Sequence, residues 1–180
     1  DQIKLINQLN WDAQYDLIIV GTPPDTHIDL MIDLLSKMSP KVLLVEKPFC
    51  TPDFERYDEL TQVAKAVDTI ILVGYNHNLT RNTLRVEELI AKGYVGEPLS
   101  IHVRWLEHWG GIFSAHPWLD GPAASYLGHW KRGGGACGEH SHGISLWQHF
   151  AGYLGAGDIK HVSAYIDMTK HAGMHHDRTA

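Results

Sequence analysis

Three short, unbroken apolar runs limit what this chain can fold into: Leu17-Ile18-Ile19-Val20, Val42-Leu43-Leu44-Val45 and Ile70-Ile71-Leu72-Val73. A strand that is apolar at every position is suited to burial on both faces, the condition of a parallel sheet covered by helices. Between the runs the spacing becomes helical. Ile28, Met31, Ile32, Leu35 and Met38 recur on one face, with Asp25 or Thr26 as the cap and Pro40 beyond the end. Phe54, Tyr57, Leu60, Ala64 and Val67 form a second stripe, for which Thr51-Pro52 supplies a cap and a first-turn proline. Strand, helix, strand, helix, strand with short turns predicts a doubly wound parallel sheet with right-handed crossovers, so the first half is α/β.

Ligands of such sheets sit outside the carboxyl ends of the strands. Those ends carry Thr22-Pro23-Pro24, Glu46-Lys47-Pro48 and Tyr75-Asn76, three polar or proline-stiffened turns on one edge. Lys47 starts from that edge with its backbone constrained by the next proline. A fixed ammonium there stabilises an alkoxide forming in a transition state; the alternative is a lysine that is solvated or paired with Glu46. Pro48 has the proline-specific option of a cis bond, which would re-aim Lys47.

After Asn76 the pattern changes. Leu84, Leu89 and Ile90 mark a helix stopped by Gly93, and Leu99, Ile101, Val103 and Trp105 then alternate with polar residues. That alternation predicts a strand with one buried face, typical of an antiparallel sheet. The stretch 107–132, rich in Gly, Pro, Trp and His, reads as a long loop. Ile144, Trp147, Phe150 and Ala151 fit one face of a helix begun around Glu139, and His161 to Met168 form a candidate strand. The predicted division is 1–79 as one domain and 80–180 as part of a second.

Composition narrows the function classes. With 180 residues, 44% of them hydrophobic and 20% charged, the chain has the material for a packed core. A net charge of −6 makes nucleic acid an unexpected partner. Two cysteines make no disulfide framework, and no apolar run approaches the roughly 18 residues of a membrane span, so no membrane partner is expected and the cytoplasm is the expected compartment. The first residue is Asp1, and the amphipathic stretch Ile3, Leu5, Ile6 and Leu9 has no strand before it, which reads as an internal piece of a longer protein.

Thirteen histidines invite a metal hypothesis, centred on Glu139-His140-Ser141-His142. The spacing argues against it. On a helix His140 and His142 face different ways, and the cysteines form no C-x-x-C pair, so no metal is expected. A histidine near a helix start has its cationic form disfavoured, which suits a neutral base near pH 7; a hydrogen-bonded structural histidine is the plainer alternative. His171, His175 and His176 read as a solvated tail. Gly133, Gly135 and Gly138 match G-x-G-x-x-G but follow His129-Trp130-Lys131-Arg132 rather than a buried strand, so they are not a dinucleotide phosphate loop. They suit a close approach of the backbone to a ligand or a helix, or simply a flexible turn.

Taken together, Asp16 to Pro24 with His27, Val45-Glu46-Lys47-Pro48, Val73-Gly74-Tyr75-Asn76 and Gly133-Gly134-Gly135 before a histidine-bearing helix resemble one family. It is the glucose-fructose oxidoreductase, inositol dehydrogenase and rhizopine catabolism family of NAD(P)-dependent oxidoreductases, and the resemblance runs from about Asp1 to Phe150. It implies part of a Rossmann domain followed by part of a C-terminal α+β domain with an open, mostly antiparallel sheet, in a protein that forms homo-oligomers when full length. It implies NAD or NADP as cofactor, lined by Thr22, Pro23, Pro24, His27, Glu46, Lys47, Pro48, Asn76, Trp130 and Lys131. Lys47 falls on the catalytic lysine. The family's helix carries an acid, then its base histidine four residues later, then a second acid. Here Glu139 stands for the first acid, His142 comes three later, and Ser145 holds the second acid's place. His142 is therefore the expected base, with His140 as runner-up, and His77-Asn78-Leu79 replaces a basic residue the family often has.

The implied reaction is reversible hydride transfer between the nicotinamide and a secondary hydroxyl of a sugar, polyol or related small molecule. Two other readings stay open at this point: an NAD-dependent glycoside hydrolase working by transient oxidation, and a non-catalytic sensor of dinucleotide and sugar. A histidine-cluster metalloenzyme is a weaker third.

Overall fold

The computed structural model describes residues 3–171 and 174–179. The side chains of His171, His175 and His176 lie outside what is described. Strands β1 (Leu17–Val20), β2 (Val42–Val45) and β3 (Ile70–Val73) form a parallel sheet in the order β1-β2-β3, with Leu17 opposite Val42 and Val42 opposite Ile70. Helices α1 (His27–Lys37) and α2 (Tyr57–Lys65) supply the crossovers. The sheet is thus wound as the three apolar runs require.

The core lies between this sheet and its two helices. Met31, Leu35, Leu43 and Val45 are fully buried, joined by Val20, Leu34 and Leu60. Both helices pack on one face. The other face, carrying Leu17, Ile19, Ile70 and Leu72, is about half exposed, so burial on both faces is not met among the described residues: no described helix lies there.

Two helix starts differ from the expectation. Thr26 occupies the N-cap of α1, but its hydroxyl donates to the Pro23 carbonyl instead of capping the helix, because a 3-10 turn over Pro24–Thr26 comes first. The second helix begins not at Thr51-Pro52 but at Tyr57, after Phe54 and Arg56 adopt left-handed backbone. Arg56 is held there by Glu59 and Asp29, while the Thr51 hydroxyl bonds Asp53 at 2.6 Å.

The second half is mainly helical. Helix α3 (Arg81–Ala91) is capped by Thr80, whose hydroxyl accepts from the Thr83 amide, and it ends before Gly93 at φ 77°. The expected strand at 99–105 is absent. Ile101, Val103 and Trp105 do alternate inward, but no other strand pairs with the segment; it lies against a helix, and the Trp147 indole donates to the Ile101 carbonyl at 3.3 Å. The expected loop at 107–132 instead holds α4 (Trp109–Ser114) and three 3-10 turns. The single helix expected from Glu139 is two, α5 (Gly135–Glu139) and α6 (His142–Tyr153). The last expected strand lies further along, as β4 (Asp167–His171), paired antiparallel with β5 (Met174–Thr179).

Candidate active site

The carboxyl ends of β1, β2 and β3 meet the start of α5 and α6, and this junction gathers the polar groups the sequence singles out. After β1, the Thr22 hydroxyl bonds that of Thr26 at 2.7 Å. His27 is wholly buried, its Nε2 2.7 Å from the Thr22 carbonyl and its Nδ1 3.2 Å from that of Phe49. It shapes the turns after β1 and β2 and offers no surface to a ligand, which corrects its expected place in a cofactor lining. Pro24 is also buried, whereas Thr22, Pro23, Glu46 and Asn76 are exposed at the strand ends. Beside Gly21 a side chain would meet nothing within 4 Å, so this edge is open.

Lys47 follows β2 on a cis Lys47-Pro48 peptide. It is not paired with the Glu46 carboxylate, which instead accepts the Lys47 amide at 3.3 Å. Its ammonium donates to Glu139 twice, to Oε2 at 2.9 Å and to the main-chain carbonyl at 3.0 Å, and both side chains are about 85% buried. An ammonium has three donors, so two hold it in place and one is left for a ligand. Tyr126 faces the same cluster. Burial and the nearby carboxylates of Glu139 and Glu46 push its phenol up to about 12.

α5 ends at Glu139 with His140 as its C-cap, and His142 takes the first position of α6. His142 is surrounded by rings: His77 at 4.5 Å between centroids, and Tyr75 and Trp105 each at 5.8 Å. Burial, then the Lys47 ammonium and then His77 press its pKa down to about 4, against smaller opposing effects of Glu107 and Glu139. It is neutral at pH 7. Its Nδ1 is buried without a partner, a costly state for a polar atom unless a ligand supplies a hydrogen bond.

His140, the C-cap of α5, points elsewhere. Its Nε2 lies 3.4 Å from the Glu107 carboxylate, an ion-pair distance without hydrogen-bond geometry, and the Trp109 ring lies beside it at 5.6 Å, tilted by 37°. It faces a cavity of about 600 Å³ bounded by Trp105, Glu107, Gly143 and Trp147, and this cavity is lined by neither Lys47 nor His142. Ser145 receives a hydrogen bond from Asn78 at 3.0 Å. Among the described residues, no three His, Cys, Asp or Glu side chains gather as a metal-holding group.

The glycine-rich stretch closes the junction. Gly133 has φ 88°, and a Cβ there would fall 2.6 Å from the Pro24 ring, so only glycine lets the chain press on the first turn. Arg132 adds an ion pair to Asp25 at 2.6 Å, and Lys131 lies 5.7 Å over its neighbour Trp130. Gly134 approaches the Tyr126 and Leu127 carbonyls in the same way. Glu107 and Tyr126 carry no signal in the sequence; Tyr75 is marked by its place at a strand's carboxyl end and Trp105 only as an inward position of the expected strand.

Comparison with known proteins agrees with this picture. Residues 4–75 match the GFO_IDH_MocA model, described as an oxidoreductase family with an NAD-binding Rossmann fold. The chain is 27% identical over 122 residues to inositol 2-dehydrogenase of Rhizobium meliloti, covering 62% of this chain and 36% of that protein. It is 28% identical over 88 residues to the D-xylose 1-dehydrogenase [NADP(+)] of Haloarcula marismortui, covering 49% of this chain and 24% of that protein. The chain therefore spans about a quarter to a third of the length of these curated relatives. The crystal structure of myo-inositol 2-dehydrogenase from Lactobacillus plantarum shares the fold, with TM-score 0.59 and 18% identity over 80% of this chain and 39% of that one. Among the described residues, no helix is long and apolar enough to cross a membrane. Residues 4–75, with their parallel sheet and its crossover helices, are thus similar to the NAD-binding Rossmann part of that oxidoreductase family.

Proposed function

We propose that the protein is an NAD(P)-dependent dehydrogenase acting on a secondary hydroxyl of a sugar, polyol or related small molecule, with Lys47 and His142 as its catalytic residues. One observation carries this reading. An ammonium with a donor to spare and a neutral imidazole with an unpaired, buried nitrogen stand at the same junction, close enough for the first to depress the pKa of the second.

The open strand ends fit a flat, polar cofactor. Thr22, Pro23, Glu46, Pro48 and Asn76 would hold it, with Trp130 and Lys131 closing from the second half, while Pro24 and His27 shape the turns from beneath. A bound nicotinamide supplies the acceptor for a hydride. In the oxidation direction the substrate's O–H proton passes to Nδ1 of His142 and a C=O bond forms. The hydrogen on carbon leaves with its electron pair. The third donor of Lys47 steadies the oxygen as negative charge grows on it. His140 faces away from this pair and serves the neighbouring cavity. Residues 1–79 then form the cofactor half and 80–180 the substrate half, a division the reaction needs because each supplies one of the two groups. The named relatives, an inositol and a xylose dehydrogenase, support the substrate class, and both NAD and NADP remain candidate cofactors.

The test is turnover with NAD and NADP against a panel of polyols and sugars in the full-length protein. Lys47→Ala and His142→Ala should each cost about 10² to 10⁴ in kcat, with cofactor affinity little changed. Wild-type rates in both variants would remove the assignment. Net accumulation of reduced cofactor separates this reading from a recycling glycoside hydrolase, which returns the hydride to its product.

A further inference from the structure

Three rings from two separate parts of the chain converge on His142. Tyr75 and His77 come from the segment after β3, and Trp105 comes from the extended segment before α4. His77 is central to the group: its ring meets His142 at 4.5 Å and 67°, and meets Trp105 at 4.8 Å and 86°, both edge to face. Trp105 is fixed in turn, its indole N–H donating to Glu107 at 2.7 Å and its Cβ lying against Gly143 with no room for a side chain there. His77 is also anchored through its backbone, its carbonyl accepting from the hydroxyls of Thr83 at 2.7 Å and Thr80 at 3.3 Å. The imidazole is therefore carried on a rigid support, the start of α3.

We propose that His77 is a positioning residue for His142: braced by Trp105, it fixes the orientation of the His142 ring and completes the enclosure that keeps the ring neutral. The proposal rests on the reading of His142 as the proton acceptor and adds a residue that reaches the chemistry only through it. The physical argument is geometric. A histidine at the start of a helix has one side open to solvent unless another element covers it, and a hydrated ring would both rotate and charge more readily. His77 covers that side with a ring that leaves the His142 Nδ1 without a hydrogen-bond partner.

Every element packed around His142 contributes a charged or titratable group. Lys47 comes from the turn after β2, Tyr75 and His77 from the segment after β3, Glu107 from the segment before α4, and Glu139 from the end of α5. Lys47 and His77 oppose a proton on His142, and Glu107 and Glu139 favour one. His77 is unusual among these because it both excludes water and opposes the charge. Losing it removes two effects of the same sign.

The experiment is a nuclear magnetic resonance titration of the His142 ring in the full chain, as wild type, His77→Phe and His77→Ala. Phenylalanine keeps the cover and removes the charge; alanine removes both. The midpoint should rise by about half a pH unit in His77→Phe and by about one or more in His77→Ala, approaching an ordinary histidine. The acid limb of kcat/KM should move upward with it, while KM for cofactor stays constant. An unchanged midpoint in folded His77→Ala overturns the proposal. If that variant does not fold, an unchanged midpoint in His77→Phe overturns it. A moved midpoint without any dehydrogenase activity would leave the positioning role standing and remove the proposed reaction. Full sensitivity of turnover to His142 with no response to His77 would do the reverse.

Discussion

At the scale of the residue, a half-buried histidine beside an ammonium pays for its neutrality in acid. The pKa of His142 lies near 4 in the folded protein and near 6.5 in an unfolded chain, so between these values the unfolded state binds a proton that the folded state refuses. Stability contributed at this site is full above pH 6.5 and is lost as pH falls toward 4. Urea unfolding at pH 5 and pH 7 should show a wider gap for the wild type than for His142→Gln. An equal gap in the two proteins would show that His142 is not held neutral. Lys47 illustrates the complementary case, since two of its donors are committed to Glu139 and its direction is set before any ligand arrives.

Among the elements, local chemistry decides where helices begin, and tertiary contacts overrule it where they are stronger. Thr80 caps α3 through its hydroxyl, and Thr80→Ala should cost about 0.5 to 2 kcal/mol in chemical denaturation. Thr26 had the same chemistry and was drawn instead to the Pro23 carbonyl, because the chain enters α1 through a 3-10 turn that places that oxygen nearer. Gly133 is the position where the glycine-rich stretch meets the turn after β1. Gly133→Ala combines a left-handed backbone with a contact on Pro24 that cannot be relieved by a flexible side chain, so it should destabilise by about 1 to 3 kcal/mol and loosen the turn after β1. Wild-type stability in that variant would mean the segment does not press on the turn. The extended segment at 99–105 shows how a period can be right and an element wrong: alternation records which side chains face inward, and here the inward surface is helix α6 rather than a neighbouring strand.

For the whole molecule, two ion pairs tie the sheet to the second half, and burial separates their worth. Arg132 with Asp25 is largely exposed, and Asp25→Ala should cost under about 1 kcal/mol. Lys47 with Glu139 is mostly buried across 92 positions of sequence. Glu139→Ala leaves an ammonium without its countercharge and should cost about 3 kcal/mol or more, recovered in part by adding Lys47→Met. Equal losses for Asp25→Ala and Glu139→Ala would contradict that ranking. The same pair positions the lysine for chemistry, so Glu139→Ala should also lower turnover.

What the sequence by itself determined is the parallel sheet, its two crossovers and the turns that hold Thr22, Lys47 and Asn76, because unbroken apolar runs and proline-bounded turns are local statements that a chain makes within a few residues. It also indicated a helix near Glu139, though not that the chain breaks there into two. Tertiary structure alone decided that Lys47 pairs with Glu139 rather than Glu46, that His27 is enclosed instead of lining a ligand, and that Tyr75, His77 and Trp105 gather around His142. Those outcomes depend on groups tens of residues apart meeting in a poorly solvated space, where pairing and desolvation set the energies, and no pattern within a short window of sequence encodes such a meeting.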